Sequence, residues 1–340
     1  MPHPTSSGAS RSIPTRHVPA LGRTVGAIGL GCMGISWAYS GADTSSDTAG
    51  APILAHALAS GIDFFDTSDA YAAGHNERVV GRALAGTDAV IATKAGLIGN
   101  DDGGGPVLTR NGTPEHLAQA CDSSLRNLGV DTIDLYYLHR VDDQVPIEDS
   151  WGALSELVAA GKVRALGLSE VTVEQARVAH SIHPVAAVQS ELSLWTRNAL
   201  GQGTTHDGEP VGNMVEWTGE NDAVFVPFSP LGRGFLTGSL DPTALPATDM
   251  RLALPRFSGA AAEQNRSIVE VVSAVASRHN STPAAVALAW VLAQGPHVIP
   301  IPGTTDIGHF DANLAALGLS LTEEDLASLE AAPAAVGTRY

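Results

Sequence analysis

The sequence is poor in residues that mark several classes of protein. Its 340 residues include two cysteines, Cys32 and Cys121, which form neither a C-x-x-C pair nor a zinc-binding spacing. We therefore expect no disulfide framework, no metal site, and a reduced, cytoplasmic compartment. No apolar run reaches the length of about 18 residues that a transmembrane helix needs. The first residues also lack an apolar core of signal-peptide length.

Basic residues are scarce as well. The chain has 19 Lys and Arg against 36 Asp and Glu, a formal net charge of −17, and no basic run. Such a chain repels phosphate backbones, which argues against nucleic acid and anionic membranes as partners. A small-molecule partner fits this composition, and nothing in the sequence indicates an oligomeric state.

The sequence predicts a short leader followed by one large domain. Residues 1–16, rich in Ser, Pro and Thr, are typical of a disordered leader, so a single domain is expected over 17–340. In that domain, apolar runs of strand length alternate with helical patterns. The runs are 25–30, 62–65, 89–93, 132–138, 163–168, 185–189, 223–228 and 297–301. Eight such strands predict an α/β fold with a closed parallel sheet, the (β/α)8 TIM barrel, and an open doubly wound sheet is the alternative.

The clearest helical pattern runs from Thr113, a candidate N-cap, to Leu128, and Gly129 is expected to end it. Two irregular segments exceed the simple strand–helix repeat. Residues 198–209 and 238–259 follow the sixth and seventh strands and have the length of lids over a site.

The stretch GLGCMG, from Gly29 to Gly34, matches the glycine pattern of a Rossmann dinucleotide site. That site requires a helix that begins inside the motif. Here turn-prone residues follow Gly34, and a helical pattern resumes only near Ala51. The stretch is therefore interpreted as the end of the first barrel strand, with glycines where backbone passes close beneath a ligand.

Polar residues follow the apolar runs, at the end of a barrel where active sites lie. They are Asp66, Tyr71, Lys94, His139, Arg140, Ser169, Glu170 and Gln189. Each one alone has an ordinary packing explanation, but several on one face indicate a site. Neither paired carboxylates nor a His-x-His strand end is present to hold a metal.

These residue types point to proton transfer at an oxygen atom. A free tyrosine has a pKa near 10, and a neighbouring Lys94 ammonium would lower the pKa of Tyr71. Asp66 would keep that ammonium charged, and His139 would orient a substrate oxygen or relay a proton. The electrons must come from another group.

From about His17 to Tyr340 the chain resembles the aldo-keto reductase family. The resemblance rests on FFDTSDAYAAGHNERVVGRAL, ATKAG and DLYYLHRVD, whose order and spacing match the family's motifs. It implies a (β/α)8 barrel with an N-terminal β-hairpin and long loops over the C-terminal face. It also implies an NAD(P)H-dependent reductase of aldehydes or ketones, working reversibly. Its catalytic residues would be Asp66, Tyr71, Lys94 and His139.

The resemblance also implies where the cofactor is bound. Gly31, Cys32 and Met33 would lie beside the nicotinamide. Ser169 and Gln189 would hold its carboxamide, and Glu170 stands where the family often has Asn. In VPFSPLGRGFLTG the ring of Phe228 would stack on the nicotinamide. The pyrophosphate loop would be formed by Ser229, Leu231, Gly232 and Arg233. The adenosine-phosphate segment would contribute Gly303, Thr304, Thr305, His309 and Asn313.

The preferred cofactor, the substrate and the direction stay open. Many relatives that use NADPH carry Lys or Arg in the adenosine-phosphate segment, whereas this chain has Asp306 there. NADP(H) is favoured because it is common in the family that the chain resembles, and NAD(H) is the alternative. Trp37 and Trp195 are expected in the substrate pocket, with ordinary packing as the alternative for Trp195. Other functions to separate are an alcohol or sugar dehydrogenase, a cofactor-retaining sensor subunit and, less favoured, a metal-dependent barrel hydrolase.

Overall fold

The fold was analysed on a computed structural model, which describes residues 13–39, 45–48, 50–101, 106–205, 208–247 and 249–339. Its strands are β1 Thr15–Val18, β2 Arg23–Gly26, β3 Leu30–Gly31, β4 Phe64–Asp66, β5 Val90–Ala95, β6 Leu97–Asp101, β7 Pro106–Arg110, β8 Ile133–Leu138, β9 Val163–Ser169, β10 Ala187–Gln189 and β11 Val224–Phe225. Its α-helices are α1 Met33–Ser36, α2 Ala51–Ala59, α3 His75–Leu84, α4 Pro114–Leu128, α5 Ile147–Ala159, α6 Val173–Ile182, α7 Met214–Glu220, α8 Gly259–Arg278, α9 Pro283–Leu292, α10 Ile307–Leu314 and α11 Glu323–Glu330.

The parallel sheet closes into a barrel. Seven strands pair in the order β3-β4-β5-β8-β9-β10-β11. The segment 297–302 then bonds to both edges, because Ile299 N donates to Phe225 O at 2.9 Å and Gly29 N donates to Pro300 O at 2.9 Å. The predicted (β/α)8 barrel is thus confirmed, and the open doubly wound alternative is wrong.

The first predicted strand is divided between two sheets. The run 25–30 was expected as one strand, but β2 ends at Gly26 and only Leu30 and Gly31 enter the barrel. β2 pairs with β1 in the expected N-terminal hairpin, whose Val18 and Val25 are buried in the cluster that fills the barrel. β1 begins at Thr15, so the last two residues of the predicted leader belong to this hairpin, and residues 1–12 lie outside the described ranges.

Strand periodicity decides which side chains enter the barrel. Phe64, Val90 and Leu135 belong to the interior cluster, whereas Phe65, Ile91 and Tyr136 pack against the helices. Side chains alternate between the faces of a strand. The inward positions therefore continue, two residues at a time, to Asp66, Lys94, His139, Ser169 and Gln189. The barrel interior is apolar below and polar at its carboxyl end.

Helices and loops agree with the sequence in part. α4 begins after Thr113 and ends at the left-handed Gly129, although the Thr113 hydroxyl donates to Asn111 instead of capping the helix. The described residues of the predicted long segments 198–209 and 238–259 form loops with short bridges or 3-10 turns, up to Gly259, where α8 begins. The interpretation of GLGCMG missed the four-residue helix α1, which begins at Met33. It also missed the antiparallel β6–β7 hairpin after the third barrel strand.

Candidate active site

A buried ion pair lies at the centre of the barrel mouth. Nζ of Lys94 donates to Asp66 Oδ1 at 2.5 Å and to the backbone oxygen of Thr67 at 2.7 Å. Nε2 of Gln189 donates to the other oxygen of the same carboxylate at 2.7 Å. The ends of three strands thus hold one ammonium and one carboxylate out of water, each paired as a buried charge must be.

Tyr71 lies beside this pair because the chain turns sharply after β4. Ala72 and Ala73 have φ angles of 49° and 50°, and Gly74 follows with 77°, so three successive residues are left-handed. Such strain in a non-glycine residue costs about 1–3 kcal/mol and is typical of functional sites. The turn places the Tyr71 ring 5.3 Å from Lys94 Nζ and edge-on to His139, with ring centroids 6.0 Å apart.

Burial and neighbouring charges act on the pKa values of Tyr71 and Lys94 in opposite directions. Burial raises the pKa of Tyr71 above its ordinary value, and the Lys94 ammonium lowers it only in part. Lys94 thus has the lowering effect that the sequence predicted, but desolvation of the phenolate outweighs it and the net shift of the Tyr71 pKa is upward. Burial also lowers the pKa of Lys94, but the Asp66 carboxylate and Tyr71 reverse this effect and raise it overall.

His139 is neutral near pH 7. Burial, followed by the charges of Arg140 and Lys94, holds its pKa well below the ordinary value. A neutral imidazole donates from one nitrogen and accepts at the other. His139 is therefore suited to orient a substrate oxygen through an N–H group.

The residues predicted to bind the nicotinamide carboxamide lie together at neighbouring strand ends. Each of them already contacts another protein group. Ser169 Oγ accepts from Arg140 Nη1 at 2.9 Å. The Glu170 carboxylate forms an ion pair with Arg339 and accepts the backbone N–H of Glu191 at 2.8 Å. Glu170 also has a left-handed φ of 55°. Its carboxylate is thus committed inside the protein, and its contact with a cofactor stays a prediction.

The glycines of GLGCMG have a packing role. A Cβ on Gly31 would lie 2.8 Å from the carbonyl oxygen of Ile301, and one on Gly29 would lie 2.7 Å from the Phe64 ring. Barrel closure therefore accounts for both glycines, and close approach to a ligand is not needed to explain them. Cys32 is buried and Met33 is partly exposed beside the Asp66 strand end, where the sequence predicted the nicotinamide.

The loop after the seventh strand has an unusual backbone. Phe228 is partly exposed above the interior cluster, and Ser229 and Arg233 are left-handed, with φ angles of 48° and 55°. Leu231 is partly buried, and Gly232 is left-handed as well. The Arg233 guanidinium lies 3.8 Å from the Glu191 carboxylate. The loop follows the seventh strand at the barrel mouth, and its contact with a pyrophosphate stays a prediction.

The adenosine-phosphate segment leads into α10. Asp306 is the N-cap, and its carboxylate accepts the N–H of His309 at 2.8 Å. Thr304 Oγ1 accepts the N–H of Asp306 at 3.1 Å, and Thr305 is exposed. Asn313 is buried, and a Cβ on Gly303 would lie 2.9 Å from the oxygen of Gly31.

Comparisons with known proteins identify the family. The sequence profile of the Aldo/keto reductase family matches residues 27–333. The chain belongs to this family. This aldo-keto reductase is 42% identical over 325 residues to "Probable aldo-keto reductase 1" of Glycine max, covering 94% of this chain and 89% of that protein.

Solved structures share the barrel. The aldo-keto reductase described here is similar to a glycerol dehydrogenase from Gluconobacter oxydans, with a TM-score of 0.80, 31% identity and 93% of each chain covered. An aldo-keto reductase from Bacillus halodurans in its holo form has a TM-score of 0.73 at 23% identity, with 95% of this chain and 98% of that chain covered. The second likeness shows the fold alone.

The two tryptophans predicted in the substrate pocket of this aldo-keto reductase differ in their surroundings. Trp37 stacks on Tyr71, with ring centroids 5.5 Å apart and planes 19° apart. Trp195 is buried against Phe235 and Phe257, at centroid distances of 4.5 and 5.0 Å. The structure thus brings Trp37 against Tyr71, whereas Trp195 packs among other aromatic rings, and the role of both in a substrate pocket stays a prediction.

Three residues near the site of this aldo-keto reductase were missed from the sequence. Ser68 and Asp69 lie between the predicted catalytic residues Asp66 and Tyr71. Ser68 contacts His139. Arg339 lies far along the chain, and no local pattern connects it with Glu170. Within the described ranges, no group of three or more His, Cys, Asp or Glu is arranged to hold a metal ion. None of the helices in that part of the chain is long and apolar enough to cross a membrane.

Proposed function

We propose that this aldo-keto reductase reduces aldehyde or ketone carbonyls to alcohols with a nicotinamide cofactor, and that Tyr71 protonates the carbonyl oxygen. The observation that carries the proposal is the placement of the Tyr71 ring 5.3 Å from the ammonium of Lys94, which Asp66 holds at 2.5 Å. A general acid must release its proton as negative charge develops on the substrate oxygen. Lys94 stabilises the phenolate that remains on Tyr71.

Each neighbour has a distinct task in this chemistry. Asp66 keeps Lys94 protonated and fixes its position, and Gln189 orients the Asp66 carboxylate. His139, neutral at physiological pH, donates an N–H to the substrate oxygen and orients it toward Tyr71. Trp37, stacked on Tyr71, covers one face of the acid and lines the substrate pocket. The bound reduced nicotinamide supplies the hydride.

The residues at the mouth fit such a cofactor. The ring of Phe228 is partly exposed at the end of the seventh strand and is available for stacking. The loop that follows it has left-handed residues at Ser229, Gly232 and Arg233. Turns of this kind direct backbone N–H groups toward anions, as a pyrophosphate requires. Its position directly after the strand end, together with the Arg233 side chain that it carries, supports the assignment of this loop to the pyrophosphate.

NADP(H) is the proposed cofactor, and a specific observation favours NAD(H) as the second candidate. The Asp306 carboxylate caps α10 and so places negative charge at the helix N-terminus, where a 2′-phosphate would otherwise be stabilised. A measurement of kcat/KM with both cofactors decides between them. A preference for NADH of tenfold or more, about 1.4 kcal/mol, would overturn the first assignment.

The test of the function is a panel of carbonyl compounds and alcohols assayed with each cofactor in both directions. Glycerol and glyceraldehyde belong in the panel because the Gluconobacter relative is a glycerol dehydrogenase. We expect net consumption of reduced cofactor with at least one aldehyde or ketone. Turnover confined to alcohol oxidation would favour the dehydrogenase. A single slow turnover with tightly retained cofactor would favour the sensor subunit.

Two buried free cysteines fit the proposed cytoplasmic location.

A further inference from the structure

The hydroxyl of Ser68 connects two titratable side chains. Its Oγ lies 3.1 Å from His139 Nδ1 and 3.2 Å from Asp69 Oδ1, and it also accepts the backbone N–H of Ala70 at 3.1 Å. Ser68 is fully buried. A hydroxyl carries one proton, so Ser68 donates either to Asp69 or to His139 at any moment. Which of the two it serves depends on whether Asp69 carries a proton of its own.

The surroundings of Asp69 allow that proton to be gained and lost near neutrality. Burial and the Glu77 carboxylate of α3 raise the pKa of Asp69 to about 8, while Ser68, Ala70 N and Lys94 of β5 oppose the rise. Tyr136 of β8 also lies within electrostatic reach and is neutral, because burial raises its pKa well above the ordinary value. From the β6–β7 hairpin, the backbone of Gly99 packs against the carbonyl of Ala70.

We propose that Ser68 transmits the protonation state of Asp69 to His139 and thereby selects which nitrogen of the imidazole carries the proton. Ser68 and Asp69 are then positioning residues for His139. The inference deepens the proposed function, on which its catalytic consequence rests.

The two protonation states of Asp69 differ in which group donates each hydrogen bond. When Asp69 is protonated, its O–H donates to Ser68 Oγ, Ser68 donates to His139 Nδ1, and the ring proton is on Nε2, on the opposite side of the imidazole. When Asp69 has released its proton to solvent, Ser68 donates to the carboxylate and accepts from Nδ1–H. The ring proton has then moved from Nε2 to Nδ1 by exchange with water, and Nε2 has no proton to donate. The two states differ by the one proton of Asp69.

The consequence is a pH dependence of carbonyl reduction. In the first state His139 offers an N–H to the substrate oxygen, and in the second it offers a lone pair that repels that oxygen. The pKa values of Tyr71 and Lys94 are raised further above neutrality, and burial holds that of His139 well below its ordinary value, so the charges of these groups are constant through the range in which Asp69 changes. We expect kcat/KM for reduction to fall by about tenfold as the pH rises through 8, which corresponds to roughly one hydrogen bond lost in the transition state.

The primary experiment observes the tautomer directly and needs no turnover. The protein is labelled with ¹⁵N-histidine, and its ring-nitrogen shifts are recorded from pH 6.5 to 9.5, with His139 assigned by the signal that His139→Gln removes. We expect the shifts of Nδ1 and Nε2 to exchange their protonated and unprotonated character near pH 8. A His139 spectrum that stays the same across this range would overturn the proposal.

Two variants separate the relay from a purely structural role. Asp69→Asn leaves an amide N–H that donates to Ser68 permanently, so it should fix the low-pH tautomer and remove the inflection from the kcat/KM profile. Ser68→Ala breaks the connection, so the tautomer should no longer follow Asp69 and the inflection should disappear. A transition that persists in Asp69→Asn would contradict the proposal. A tautomer change in a protein that reduces no carbonyl would support the relay and count against the proposed function.

Discussion

Nζ of Lys94 lies 2.5 Å from Oδ1 of Asp66, with both side chains buried at the mouth of the barrel. A second Lys–Asp pair in the same chain, Lys162 and Asp122, has the same 2.5 Å separation on the surface. The two pairs have the same N···O distance and different solvent exposure. They allow the effect of burial on an ion pair to be measured within one molecule.

Asp66→Asn should therefore be far more costly than Asp122→Asn. The first leaves the Lys94 ammonium buried without its counter-charge, which costs about 3–5 kcal/mol of unfolding free energy. The second removes an exposed pair, typically worth about 0–1 kcal/mol. Urea unfolding of both variants measures the difference, and kcat should fall in Asp66→Asn alone. Equal losses of stability in the two variants would show that burial does not govern this pair.

Breaking the ion pair between Glu170 and Arg339, which lies in the last described segment, should also destabilise the protein. Arg339→Gln leaves the Glu170 carboxylate largely buried with its partner removed, and we expect a loss of about 1–3 kcal/mol. The double variant Glu170→Gln with Arg339→Gln should recover part of that loss. Arg177→Gln, which disrupts an exposed pair with Glu174, is the control and should change stability by about 0–1 kcal/mol.

The pH dependence of this pair has a definite sign. Burial raises the pKa of Glu170, but Arg339 and then Arg140 outweigh it, so the pKa is lowered overall. The stabilisation is thus present above the unfolded-state pKa of about 4.3 and is lost as the pH falls through the lower folded-state value. The stability gap between the parent and Arg339→Gln should therefore narrow in acid. A gap that widens below pH 4 would contradict the assignment of charge.

Gly31→Ala tests how the barrel closes. The new Cβ would meet the carbonyl oxygen of Ile301 at 2.8 Å, and that backbone atom cannot move without disturbing the eighth strand segment. We expect a loss of about 1–3 kcal/mol from overpacking. Gly152→Ala, inside α5 and with nothing within 4 Å of the new atom, is the control. It should stabilise the protein by about 0.8–1 kcal/mol, so the two substitutions should have opposite signs in thermal unfolding.

Asp306→Ser tests the discrimination between cofactors. Serine is also a good N-cap, so α10 keeps its first turn while the negative charge at its N-terminus is removed. We expect the ratio of kcat/KM for NADPH over NADH to rise roughly two- to fivefold, as a helix-terminal charge worth about 0.3–1 kcal/mol allows. Asp311→Asn, which removes an exposed charge later in the same helix, should leave the ratio unchanged. An unchanged ratio in Asp306→Ser would place the 2′-phosphate elsewhere.

Much of the site followed from strand periodicity. Asp66, Lys94 and His139 each continue the inward alternation of a strand with a clear apolar pattern, and parallel strands bring such ends together. The apolar residues of the eighth segment predicted its place in the barrel. The segment forms no regular strand because its hydrogen bonds alternate between two neighbouring strands.

Other features depend on contacts distant in sequence. The pKa of Tyr71 depends on burial, which outweighs the charge of Lys94 and cannot be read from spacing. The partner of Glu170 lies 169 positions away at Arg339, so no local pattern indicates it. The β6–β7 hairpin was not predicted: it is a separate two-stranded sheet, divided from barrel strand β5 by the left-handed Gly96, and its described residues pair with no barrel strand.

The most direct test of the central claim is the turnover of Tyr71→Phe at saturating cofactor. Tyr137→Phe is the matched control, because the Tyr137 ring also lies near Lys94, at 5.9 Å. If Tyr71 is the general acid, Tyr71→Phe should bind the cofactor as tightly as the parent and reduce carbonyls about 10²- to 10⁴-fold more slowly, while Tyr137→Phe keeps most of its activity. A Tyr71→Phe variant that retains most of its turnover would contradict the account.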